Sequence, residues 1–116
     1  MIRALLLAAL LATPALADGL RIVDGDTFAI HGETIRLSNI DTPELRARCE
    51  AERIGAHLAK RRLGDLLRGS VVIHREGLDR YGRTLATVTA DGMDVGERMV
   101  AEGYARPWEG RRRPWC

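Results

Sequence analysis

Two acidic turns, Asp24-Gly25-Asp26 and Asp41-Thr42-Pro43-Glu44, lie close together in the sequence with Arg36 between them. Four carboxylates in so short a span repel by kilocalories at protein-like dielectric unless a positive group or a bound cation offsets them. Their oxygens suit a hard cation such as calcium. Zinc fits less well, because the three histidines stand apart at positions 31, 57 and 74. A third stretch, Asp79-Arg80-Tyr81-Gly82-Arg83, adds guanidiniums, whose planar fork donates two hydrogen bonds to one phosphate. Taken singly, each has a duller reading. Asp24 and Asp26 suit an ordinary turn, Asp41 a loop or helix cap, and Arg36 a surface ion pair.

These side chains need elements to hold them. Residues 20–23, 27–30 and 34–40 read as a meander of short strands, with His31-Gly32 as a tight turn. Pro43 stops the third strand, since it cannot donate to a ladder. From 51 to 67 the positions Ala51, Ile54, Gly55, Leu58, Ala59, Leu63, Leu66 and Leu67 follow one helical face, with Gly69 as its stop. A fourth strand at 71–75 and a fifth at 84–89 flank a polar loop at 76–82. Asp91-Gly92 is a turn, and Asp94 caps a short helix that runs to about Glu102, before Gly103. Three strands, a helix, two strands and a helix give a mainly β, α+β fold: a five-stranded OB-type Greek-key barrel.

The first 17 residues read as a secretory signal peptide: Arg3, an apolar stretch, then Ala15-Leu16-Ala17 as cleavage signal. The stretch falls short of the roughly 20 apolar residues of a spanning helix. Residues 18–116 then form one small exported domain, periplasmic or secreted, with a monomer as the default. Export puts Cys49 and Cys116 in an oxidising compartment, where a disulfide is expected and two free thiols are the alternative. A net charge of +2 identifies no partner. Arg106, Arg111, Arg112 and Arg113 gather around Trp108 and Trp115, which suits phosphate contacts and base stacking. It equally suits a solvated basic tail with its rings packed on the domain.

Three motifs in order, Val23-Asp24-Gly25-Asp26-Thr27, Arg36 with Ile40-Asp41-Thr42-Pro43-Glu44, and Asp79-Arg80-Tyr81-Gly82-Arg83, make the sequence resemble the staphylococcal nuclease (thermonuclease) family over 20–107. The resemblance implies an OB-fold and a calcium-dependent phosphodiesterase that cuts DNA and RNA, leaving 3′-phosphates. Motif by motif it implies Asp26, Asp41 and the Thr42 carbonyl as calcium ligands, with Asp24 supporting the metal site. It implies Glu44 as general base or water-orienting group, Arg36 and Arg83 as phosphate-binding arginines, and Arg80 and Tyr81 at the nucleotide's terminal phosphate and sugar. Two stretches depart from the family. Residues 45–51 are short where relatives often carry a longer, lysine-rich loop. After Pro107, Trp-Glu-Gly-Arg-Arg-Arg-Pro-Trp-Cys stands where relatives have a long helix with tyrosines. The competing readings are an OB-fold module that binds nucleic acid without cutting it, and a domain that takes calcium for stability alone.

Overall fold

Short alternating runs separated by left-handed turns build the sheet. The computed structural model describes residues 19–116, so the signal peptide expected at 1–17 lies outside the described residues. β1 (Leu20–Asp24), β2 (Thr27–Ile30) and β3 (Glu33–Leu37) form an antiparallel meander. His31 and Gly32, at φ 50° and 83°, make the two-residue turn between β2 and β3. After β4 (Ile40–Asp41) and α1 (Glu50–Leu66), β5 (Val71–Leu78) pairs antiparallel with β6 (Thr84–Ala90). β6 then lies parallel to β3, from Ile35↔Thr84 to Leu37↔Ala86. The resulting order, β1-β2-β3-β6-β5, is that of an OB-fold, in which the third long strand lies beside the fifth. No ladder joins β5 back to β1 among the described residues. β7 (Met93–Asp94) leads into α2 (Val95–Ala101), and β8 (Arg106–Pro107) returns to pair with β4.

The core lies between the sheet and the two helices. Phe28, Ile35 and Leu37 from the sheet meet Ala59 and Leu63 of α1 and Val95 and Met99 of α2, all essentially inaccessible to water. Burying each larger side chain contributes about 1.5–3 kcal/mol. Asp94 caps α2 by accepting from the Glu97 N–H at 2.8 Å. Gly103 ends it at φ 84°, where the Gly103 and Tyr104 N–H groups donate to the Val100 and Met99 carbonyls. None of the helices among the described residues is long and apolar enough to cross a membrane.

Four details differ from the sequence expectation. The third strand does not run on to residue 40: it stops at Leu37, and Ile40–Asp41 turns away to pair with Arg106–Pro107. β5 continues through 76–78 after a register shift between Arg75 and Gly77, so the polar loop is shorter. The buried face of α1 is Glu52, Ala56, Ala59 and Leu63, while Ile54 and Leu58 are about half exposed at 49 % and 46 %. Small residues win the inner face because the helix approaches closely: a Cβ on Gly25 would come within 2.6 Å of the Ala59 Cβ. Gly69 is not the helix stop. It leaves room for the Asp91 carboxylate, which accepts from the Ser70 N–H at 2.8 Å.

Cys49 and Cys116 are joined in a disulfide, 67 residues apart. Closing a loop that long stabilises the fold by about 4 kcal/mol on the chain-entropy account.

Candidate active site

The first acidic turn sits at the end of β1 and is pressed onto α1. Gly25 faces Thr42 as well as Ala59, so this glycine brings the first acidic turn against the second. Asp24 Oδ1 accepts from the Asp26 N–H at 3.1 Å, and Asp26 Oδ1 accepts from the Thr27 hydroxyl at 3.0 Å. Burial first, and then the neighbouring Asp26 carboxylate, push Asp24 up to about 7; Glu44 adds to the effect. Asp26, Asp41 and Thr42 are all buried.

Arg36 lies in the middle of the sheet, paired with Thr27 on one side and Leu85 on the other. Its guanidinium is buried, 3.6 Å from Asp26 Oδ2, and it donates to the Leu37 and Ile40 carbonyls, the latter at 2.9 Å. Trp108 covers its face, with the ring centroid 5.6 Å from Cζ. Such a side chain is oriented before any ligand arrives.

The loop after Pro43 is held by Glu52, a residue for which the sequence suggested no part in the site. Its buried carboxylate accepts the Glu44 N–H at 3.1 Å and the Arg48 N–H at 2.9 Å. These backbone bonds keep Glu52 below its usual range. The apolar pattern of α1 hid it, because a glutamate in a helix reads as solvent-facing. Asp79 plays the matching part for Arg83. It accepts the Tyr81 and Arg83 N–H groups, each at 2.9 Å, and the Arg83 Nε–H at 2.7 Å. Arg36, Arg83, Tyr81 and Trp108 line one groove of about 410 Å³. Arg80 and Tyr81 stand at its exposed rim, where Arg80 donates to the Tyr81 hydroxyl at 2.8 Å. His57 and His74 are exposed on α1 and β5.

Two arginines from the C-terminal segment reach the carboxylates, Arg106 largely covered and Arg112 still half open to solvent. Arg106 donates to Asp41 Oδ2 at 3.2 Å, and Arg112 is bonded to Glu44 and lies 3.7 Å from Asp41 Oδ1. Burial works against the Arg112 charge, but Glu44, Asp41 and Asp26 together outweigh it and push its pKa above the ordinary value. Neither sequence reading of the basic segment, nucleic-acid contact or solvated tail, foresaw this. The β4–β8 ladder and the disulfide turn these arginines inward, and both are long-range features.

The donor set fits a hard cation. Every candidate ligand is oxygen, and buried Asp41 Oδ1 has no hydrogen-bond partner. Asp26, Asp41 and Thr42 are the residues that could hold it.

Residues 34–114 match the family described as staphylococcal nuclease homologue. The micrococcal nuclease of Shigella flexneri is 39% identical over 90 residues, covering 70% of this chain and 48% of that protein. The thermonuclease of Staphylococcus intermedius is 33% identical over 94 residues, covering 74% and 55% respectively. The succinoglycan biosynthesis protein ExoI of Rhizobium meliloti is 33% identical over 91 residues, covering 72% and 48%. The chain thus spans about half the length of these curated relatives.

Proposed function

The chain belongs to the staphylococcal nuclease family, and we propose from this that it is an exported, calcium-dependent nuclease. Its substrates are DNA, RNA or both, cut by hydrolysis of phosphodiester bonds to give 3′-phosphate products. Residues 18–116 form the nuclease domain, working as a monomer after removal of the signal peptide. Two findings support the reading: the nuclease names of several relatives, and the disulfide, which suits an oxidising compartment.

One observation carries the chemistry: Arg36, fixed inside the sheet, stands between the Asp26 carboxylate and the groove it shares with Arg83. Phosphodiester hydrolysis builds negative charge on the non-bridging oxygens, and two guanidiniums oriented in advance favour that charge over the ground state. Members of the family are generally metal-dependent. Asp26, Asp41 and the Thr42 carbonyl would hold calcium, which when bound supplies further positive charge to the phosphate. Glu44 lines a neighbouring cavity that shares Arg112 with the groove; it orients a water and takes its proton, a contribution of ~10² to 10⁴ in rate. Tyr81 and Trp108 line the groove and offer ring surface on which a base can stack.

The test incubates oxidised residues 18–116 with single- and double-stranded DNA and with RNA, in calcium and in excess chelator. Calcium-dependent cutting that disappears in Glu44→Ala is the expected result. Arg36→Ala and Arg83→Ala should each lower the rate at least ~10²-fold, and normal turnover in either would overturn its role. Nucleic acid bound in calcium yet left uncut would replace hydrolysis with the non-cutting binding module.

A further inference from the structure

Arg112 reaches two of the site carboxylates at once. Its guanidinium pairs with Glu44 and lies 3.7 Å from Asp41 Oδ1, the buried oxygen with no hydrogen-bond partner. Arg106 holds the other oxygen of Asp41. With Arg36 beside Asp26, three of the four site carboxylates already face cations that the chain itself supplies, and two of them, Asp41 and Glu44, face Arg112.

The segment carrying Arg112 is fastened on both sides. On one, β8 pairs with β4, and the Trp108 N–H donates to the Asn39 carbonyl at 3.0 Å. On the other, Cys116 is bonded to Cys49, immediately before α1. Between them, Trp115 stacks on Arg106, 3.7 Å from centroid to Cζ, and Arg106 donates to the Pro114 carbonyl at 3.2 Å. The two arginines differ in freedom. The Arg106 side chain is 20% exposed and stacked, whereas that of Arg112 is 54% exposed and can swing into water without uncovering the core.

We propose that residues 108–116 form a disulfide-tethered latch, which lays the Arg112 guanidinium on Glu44 and Asp41 in competition with a divalent cation. The inference rests on the metal reading above. A guanidinium and a divalent cation repel each other and need the same oxygens, so each weakens the other's hold by the same factor. The tether matters because it confines Arg112 near the acids and raises its effective concentration there. Displacing Arg112 leaves Glu44 free to meet a water. The latch thus couples cation loading to the release of the residue assigned to proton transfer.

Calcium chloride alone, titrated calorimetrically into the full disulfide-bonded chain, tests this without reference to activity. Arg112→Ala should bind calcium about five- to tenfold more tightly than the wild type, the lower part of the usual range of coupling between sites. Arg112→Lys keeps the charge and should stay near wild type. In a Cys49→Ser, Cys116→Ser background the wild-type Arg112 should compete less, so that Arg112→Ala tightens binding by a smaller factor there. Equal or weaker affinity in Arg112→Ala, measured in the disulfide-bonded chain, overturns the latch. Absence of calcium binding in wild type and Arg112→Ala alike overturns the metal reading instead.

Discussion

Arg83 reaches the groove already bonded, and that is where a single side chain has most leverage. Asp79 is pulled upward by burial, but the amide and guanidinium of Arg83 outweigh this and hold it below the ordinary carboxylate range. Asp79→Asn keeps the shape of the loop and weakens the grip on Arg83. We expect kcat/KM to fall about tenfold to a hundredfold, because small displacements of a positioning group are costly near the reacting atoms. Unchanged kcat/KM with intact circular dichroism would mean that Arg83 finds its own place. Arg36→Lys should behave almost like Arg36→Ala, since an ammonium cannot reproduce the bonds to Leu37 and Ile40 together with a phosphate contact. At this scale the sequence was informative where residue types are expensive in isolation. Asp26, Arg36 and Asp41 stood out because carboxylates crowded into a short span demand a positive partner. Glu52 did not, and Asp79 and Arg112 were noted without the parts they play, because glutamate on a helix, aspartate in a loop and arginine in a basic run are ordinary at the surface.

Between elements, Glu33 ties three strands together at one point. It lies in β3, accepts from Arg75 of β5 at 2.8 Å and accepts from the Thr84 hydroxyl of β6 at 2.7 Å. The Arg75 bond first, and then Thr84, hold Glu33 at about 2 against an ordinary 4.5. A depressed carboxylate stabilises the fold only while ionised, so its contribution is present above about pH 4.5 and is lost as pH falls toward 2. Glu33→Gln should therefore flatten the acid limb of the stability curve in that window, as read by urea midpoints; an unchanged slope would remove the pair from the account. Asp94 offers a second test. It accepts from both Glu97 of α2 and Asn39 in the turn before β4, so Asp94→Ala should cost about 1–2 kcal/mol. Strand order and both turns were legible because alternation and left-handed residue pairs are local signals. The inner face of α1 was legible only in part: Ala59 and Leu63 are buried as expected, whereas Ile54 and Leu58 are not. Hydrophobicity favours Ile54 and Leu58, but the close approach of Gly25 requires alanine there, a constraint that comes from packing across the fold.

Across the whole molecule, the disulfide and the cation act on the same balance. Cys49→Ser with Cys116→Ser should lower the unfolding free energy by about 4 kcal/mol, and a loss under 1 kcal/mol would mean that the open chain keeps residual order. Calcium at a hundred times its Kd should raise stability by about 2.7 kcal/mol in chelator-stripped protein, seen as a higher melting temperature. The pairing of β4 with β8 has a different consequence, one of timing. Asp41 meets Arg106 across 65 residues of chain. At synthesis rates of about 5–20 residues per second, roughly 3–13 s pass between the emergence of one and of the other. Throughout that interval the acidic loop lacks the strand that closes it. A nascent chain of this design, still attached to its messenger, keeps its acidic loop without a closing partner until β8 has been made.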